Sequence, residues 1–229
     1  MFKNVKVLRK ENNFKNKYTA PSIEQKLQSS RVIPLGVNEV YAYSSVAPII
    51  ISGSKIKEFA LYCGLSASNN IFTKIDVLEE PQFIKNHPFL TIKVKNEKDE
   101  DVLVIGIDDD TNYIGEDKDL SIFDEKQNLN KEFEEKLQQA KQLEHLRTVS
   151  KEIISELEKY DLLQKQSFNI RVNGDIKPIL EDYYIVNKEK LNKIDSEVLV
   201  LWAKKGWIGI IDAHIYSIRN FKKLVDLVK

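Results

Sequence analysis

Apolar residues recur at spacings of three and four from Leu129 through Phe133, Leu137, Ala140, Leu143, Leu146, Val149, Ile153 and Leu157 to Tyr160. Residues three and four apart share a helix face, so this run predicts one long helix with a continuous apolar stripe. Asn130 suits its N-cap, and Glu132, Glu134 and Glu135 suit the positive end of its dipole. The weaker helix formers Thr148-Val149-Ser150 mark the place where it is expected to kink or break in two.

Elsewhere the pattern has a period of two or is apolar throughout. Val5-Lys6-Val7-Leu8 predicts a short strand within residues 1–30, which otherwise read as a basic leader, mobile or wrapped on the surface. Residues from 31 onward read as β structure. Apolar runs at 46–52 and 59–65 flank Gly53-Ser54-Lys55 as in a hairpin, and Ile71-Phe72-Thr73-Lys74-Ile75 alternates as a third strand. Pro81 opens one helical turn ended by Pro88. Residues 90–94 alternate and 102–107 are apolar throughout, which predicts a half-exposed strand beside a central one. Leu120-Ser121-Ile122-Phe123 predicts a short strand. After the helix, Asn173-Gly174-Asp175 between 168–172 and 176–186 predicts a second hairpin. Asp195 caps a helix running to Lys205 and closed by Gly206. The apolar run 207–216 predicts the last strand, and Asn220 starts an amphipathic helix carrying Leu224, Val225, Leu227 and Val228. The sum is an α+β class: one domain over residues 31–229, an antiparallel or mixed sheet packed on one long or broken helix plus C-terminal helices.

Composition narrows the function classes. The 229 residues are 42% apolar and 31% charged, enough for a sizeable core in a well-solvated fold. Net charge is zero, but the first 18 residues carry six cations against one acid, and residues 97–135 carry 15 acids against four lysines. Such a dipolar chain has no overall pull on polyanions, which argues against a nucleic-acid partner. A single cysteine, Cys63, in an apolar run excludes an intramolecular disulfide and reads as a buried, inert thiol. Neither a signal-peptide layout nor an apolar run long enough to span a bilayer is present, so the cytoplasm is the expected location.

Candidate chemistry concentrates in Asp212, His214 and Tyr216. On a strand these alternate residues share one face. Asp212 would orient His214 as a general base, or both would join His87 as metal ligands, although the His-x-Asp order of the iron facial triad is absent. The alternative is a hydrogen-bonded polar cluster at a sheet edge or beneath the C-terminal helix. A second focus is Asp108-Asp109-Asp110-Thr111-Asn112, whose oxygens are candidates for a hard cation, with Asp108 and Asp110 as the candidate ligands; the EF-hand spacing fails. The eight glycines form no phosphate-binding loop, and no G-x-S-x-G elbow occurs, so no cofactor is expected.

Several blocks in order resemble the SapC family of bacterial proteins, named for association with paracrystalline surface-layer loci. They are Pro48-Ile49-Ile50-Ile51, Ala60-Leu61-Tyr62-Cys63-Gly64-Leu65, Asn70-Ile71-Phe72, His87-Pro88-Phe89, Ile107-Asp108, Ile122-Phe123-Asp124 and a closing segment. That segment, Gly206-Trp207-Ile208 with Ala213-His214-Ile215-Tyr216-Ser217-Ile218, is the most specific. The resemblance covers roughly residues 46–228 and implies no established reaction, cofactor or catalytic set. It implies a non-catalytic accessory protein that binds a surface-layer or envelope polypeptide. The alternative is an enzyme, metal-dependent or not, that modifies a peptide or protein at Asp212 and His214.

Overall fold

The structure is a computed structural model that describes residues 4–13, 15–27, 31–54, 56–65, 70–74, 79–108, 112–172 and 175–226. In chain order the strands are β1 (Val5–Val7), β2 (Lys17–Tyr18), β3 (Val32–Pro34), β4 (Ile49–Ser52), β5 (Glu58–Tyr62), β6 (Phe89–Lys95), β7 (Asp101–Asp108), β8 (Ile114–Gly115), β9 (Leu120–Ser121), β10 (Leu163–Val172) and β11 (Asp175–Val186). The helices are α1 (Lys10–Asn13), α2 (Ile23–Leu27), α3 (Val37–Tyr43), α4 (Ile71–Lys74), α5 (Gln82–Lys85), α6 (Lys131–Lys159), α7 (Lys188–Leu191), α8 (Ser196–Lys204), α9 (Trp207–Ser217) and α10 (Phe221–Asp226). Every strand pairing among the described residues is antiparallel, and the fold is α+β.

The chain divides into two compact units, Met1–Ser29 with Glu80–His145, and Ser30–Glu79 with Leu146–Lys229. In the first, β1 pairs with β7, so part of the basic leader is built into a three-stranded sheet of order β1-β7-β6. A second small sheet has the order β8-β2-β9. Tyr18, Phe89 and Phe133 meet edge to face at 5.1–5.9 Å, in a core shared with Leu8, Ile105, Ile107 and Ile122.

The second unit is a five-stranded sheet of order β10-β11-β4-β5-β3. Its inner strands β4 and β5 are apolar along nearly their whole length because both of their faces are covered. Its core includes Ile33, Ile49, Ile50, Ile51, Phe59, Leu61, Ile153, Leu157, Trp202 and Ile211. β4 has only four residues and meets β11 at Tyr184 opposite Ile51. The distal parts of β10 and β11 therefore continue as a two-stranded ribbon, with register shifts at Gln166/Phe168 and Phe168/Asn169. Ile176 is 67% exposed there.

Helix α6 is hydrogen-bonded without a break for 29 residues, about 44 Å. Thr148-Val149-Ser150 does not interrupt it. Ser150 Oγ donates back to the Leu146 carbonyl at 3.2 Å, which absorbs its polar group within the helix. Asp195 caps α8 through the Glu197 N–H, and Gly206 closes it at φ +72°, both as the sequence predicts.

Three expectations are corrected. Residues 71–74 form a helical turn, not a strand, because Asn70 Oδ1 accepts the Phe72 N–H as a cap would. Residues 37–43 form helix α3 inside a stretch that reads as β. Its start is fixed by the Gly36 N–H donating to Glu39 Oε2 at 2.8 Å. Residues 207–217 form helix α9, not the last strand. Lys55, Ile75, Asn173, Gly174, Leu227 and Val228 lie outside the described residues. Among the described residues no helix is long and apolar enough to cross a membrane.

Candidate functional site

Helix α9 follows Gly206 directly, and its sides differ sharply. Trp207, Ile211, Ala213, His214 and Ser217 are buried. On a helix, Asp212 and Tyr216 lie about 40° apart, whereas Asp212 and His214 are roughly 160° apart. The shared face expected for all three residues on a strand does not exist. Asp212 and Tyr216 stay together on the solvent side, joined by Gly209, and His214 turns into the core.

His214 is fully buried against the Phe59 ring, at a centroid distance of 5.6 Å. Its Nε2 accepts the Val186 N–H at 3.1 Å, so the neutral ring must carry its proton on Nδ1. Nδ1 has no hydrogen bond of ordinary geometry, although the Ile49 backbone is the group that favours a proton on the ring. Burial outweighs that help and pushes the imidazole down to about 4. The polar line continues along the helix. The Ile49 N–H donates to Ser217 Oγ at 2.9 Å, and Asn220 Nδ2 donates to the Ser44 and Ala47 carbonyls at 2.8 and 3.3 Å. These bonds tie the closing segment to the chain between α3 and β4. They account chemically for the polar residues there as buried hydrogen-bonding groups.

The solvent side of α9 faces helix α3 across an open depression of about 440 Å³. Tyr41, Ser44, Gly209, Asp212, Ala213 and Tyr216 line it. Tyr41 is 69% exposed and Tyr216 46%. The Arg219 guanidinium lies 3.5 Å from the Tyr216 ring centroid and donates to the tyrosine hydroxyl. The Asp212 carboxylate makes no hydrogen bond or ion pair among the described residues. A Cβ on Gly209 would meet nothing within 4 Å. Tyr41, Ser44 and Gly209 escape a reading based on strands. The signal for Tyr41 is local: Gly36 followed at N3 by Glu39, with Val37, Val40 and Tyr43 at helical spacing.

His87 and Asp108 belong to the other compact unit. The Asp108 N–H donates to the Pro88 carbonyl at 3.0 Å, which draws the end of β7 to the residue after His87. Asp108 is buried, and its Oδ1 accepts the Asn4 N–H at 3.0 Å. Burial lowers the His87 imidazole to about 4, against the opposing pull of the Asp108 carboxylate. The His87 ring also stands edge-on to Tyr113 at 6.1 Å. The structure thus brings His87 to Asp108, and Asp212 to Tyr216. Asp110 lies outside the described residues. Among the described residues no three His, Cys, Asp or Glu side chains group as metal ligands.

A family model, SapC, matches residues 11–224, nearly the whole chain. No curated protein and no solved structure matches it. The match includes the buried polar line around His214, Ser217 and Asn220 and the open groove beside it, and the chain belongs to the SapC family.

Proposed function

We propose that this protein is a non-catalytic accessory protein that binds a polypeptide of the surface layer or cell envelope. One observation carries the reading. The only histidine of the closing segment is sealed in the core, its Nε2 already accepting a backbone N–H. A general base must reach a substrate proton within hydrogen-bond distance, directly or through one water. His214 meets no solvent from which a substrate would come, so the enzyme reading built on Asp212 and His214 loses its base. What the segment offers to solvent is an aromatic-walled groove, a form suited to binding. Membership of a family named for surface-layer loci supports an envelope polypeptide as the partner.

The test is affinity capture of the full tagged chain from its native cell, followed by intact mass measurement of whatever is retained. The expected result is near-stoichiometric recovery of an envelope polypeptide of unaltered mass, equally with the wild type and with His214→Gln. A partner whose mass changes on incubation with the wild type, but not with His214→Gln, would establish turnover and refute the reading.

A further inference from the structure

We infer that the groove between α3 and α9 is a docking site for a cationic side chain, arginine above all, projecting from an extended segment of the partner. The inference rests on the binding reading above and names the chemistry that the groove would recognise.

Three independent features converge on it. The first is charge. Asp212 stands in the groove as a carboxylate with no cation or donor bound to it among the described residues. An incoming guanidinium would supply both charge and a planar fork of donors to that carboxylate. The second is the aromatic wall. The Tyr41 ring and hydroxyl have no partner among the described residues, and the ring is 69% exposed. Tyr216 already stacks a guanidinium, that of Arg219, on one side. The wall therefore displays, with a residue of its own chain, the cation–π contact that an incoming arginine would make on Tyr41.

The third feature is Gly209, which lies in the interior of α9 on the groove side. Glycine inside a helix costs stability, and it is usually explained by a neighbour that leaves no room for a Cβ. Among the described residues nothing crowds Gly209: a Cβ would find open space. The missing side chain leaves bare helix backbone on the groove floor, which lets an extended partner backbone approach closely. An anionic occupant is disfavoured by Asp212, and a purely apolar one would bury that carboxylate unpaired.

The test uses NMR on the full chain with the capped tripeptide Ac-Ala-Arg-Ala-NH2 as probe. Its counterpart carries citrulline, which keeps the shape and removes the charge. The expected result is perturbation of the amides of Tyr41, Ser44, Gly209, Asp212 and Ala213 by the arginine peptide. The citrulline peptide should bind about tenfold more weakly, and Asp212→Asn should weaken the arginine peptide by a similar factor. Gly209→Leu should remove binding while leaving the rest of the spectrum in place.

Equal perturbation by both peptides, perturbation elsewhere on the chain, or none at all would overturn the assignment. So would sedimentation showing self-association abolished by Asp212→Asn, because a second copy would then be the occupant. The two readings fail separately. If Asp212→Asn and Gly209→Leu still capture the envelope polypeptide like the wild type, the accessory role stands and the groove assignment falls. If the groove takes the arginine peptide but no envelope polypeptide is captured, the groove stands and the envelope role falls.

Discussion

Lowering the pH from about 7 to about 5 should weaken the native fold through His214. In the folded chain its imidazole is held at about 4 by complete burial, against an ordinary value of 6.5. Between those values the unfolded chain binds a proton that the folded chain refuses. Stability from this group is therefore present in full above 6.5 and is lost as the pH falls toward 4. The loss amounts to about 2 kcal/mol at pH 5 and levels off near ~3 kcal/mol below the folded value. The structural cause is specific. A proton on Nε2 would set one donor against another, the Val186 N–H, and would place a charge beside the Phe59 ring. Carboxylates titrate in the same range, so the decisive assay follows the imidazole itself. An NMR titration of the His214 ring should find it neutral down to about pH 5 in the folded protein. Urea unfolding should then show a shallower fall with acid for His214→Gln than for the wild type. A ring that titrates near 6.5 while the protein stays folded would refute the argument.

Gly209→Ala should raise stability by about 0.5–1 kcal/mol in urea unfolding, because the added Cβ has open space and the helix gains propensity. A loss of stability would mean that the position is crowded. Gly53→Ala should cost about 1–3 kcal/mol, since Gly53 sits at φ +121° and a Cβ would collide with the Ile56 carbonyl oxygen; an unchanged urea midpoint would count against that backbone. Cys63 is buried, its thiol pushed up to about 12 by that burial. It should resist iodoacetamide at about pH 8 in the native protein and react fully once denatured, as mass spectrometry would read directly. His214→Ala should destabilise by about 2–4 kcal/mol, from a core cavity plus the Val186 N–H left unpaired. A change below ~0.5 kcal/mol in the urea midpoint would place His214 outside the core.

Elements whose signals are local and redundant were readable from the sequence. The stripe from Phe133 to Leu157, the Asp195 cap and the Gly206 stop all survive in the structure because each states its own geometry. The hairpin of β6 and β7 survives because alternation and a charged turn point the same way. Helix α9 is not legible as a helix, because a short apolar run rich in isoleucine has no polar stripe until its second half. The early residues Trp207, Ile208, Ile210 and Ile211 fit either period, and only the step from Ile211 to His214 and Ser217 marks the buried helix face. The strand reading keeps His214 on one face with Asp212 and Tyr216, although the helix turns it alone into the core. That reading also hides the groove, since Tyr41 depends on recognising α3. Asp212 and Tyr216 stayed together under both readings because residues four apart share a helix face as well as a strand face.

The ribbon formed by β10 and β11 has a consequence for how this protein behaves in a crowded cell. A two-stranded ribbon with open edges is a template on which other chains can nucleate sheets. This one carries its own deterrents. Pro178 supplies no N–H, and two register shifts interrupt the ladder. Aggregation resistance is thus distributed along this ribbon, and replacing Pro178 would erode it without altering the core.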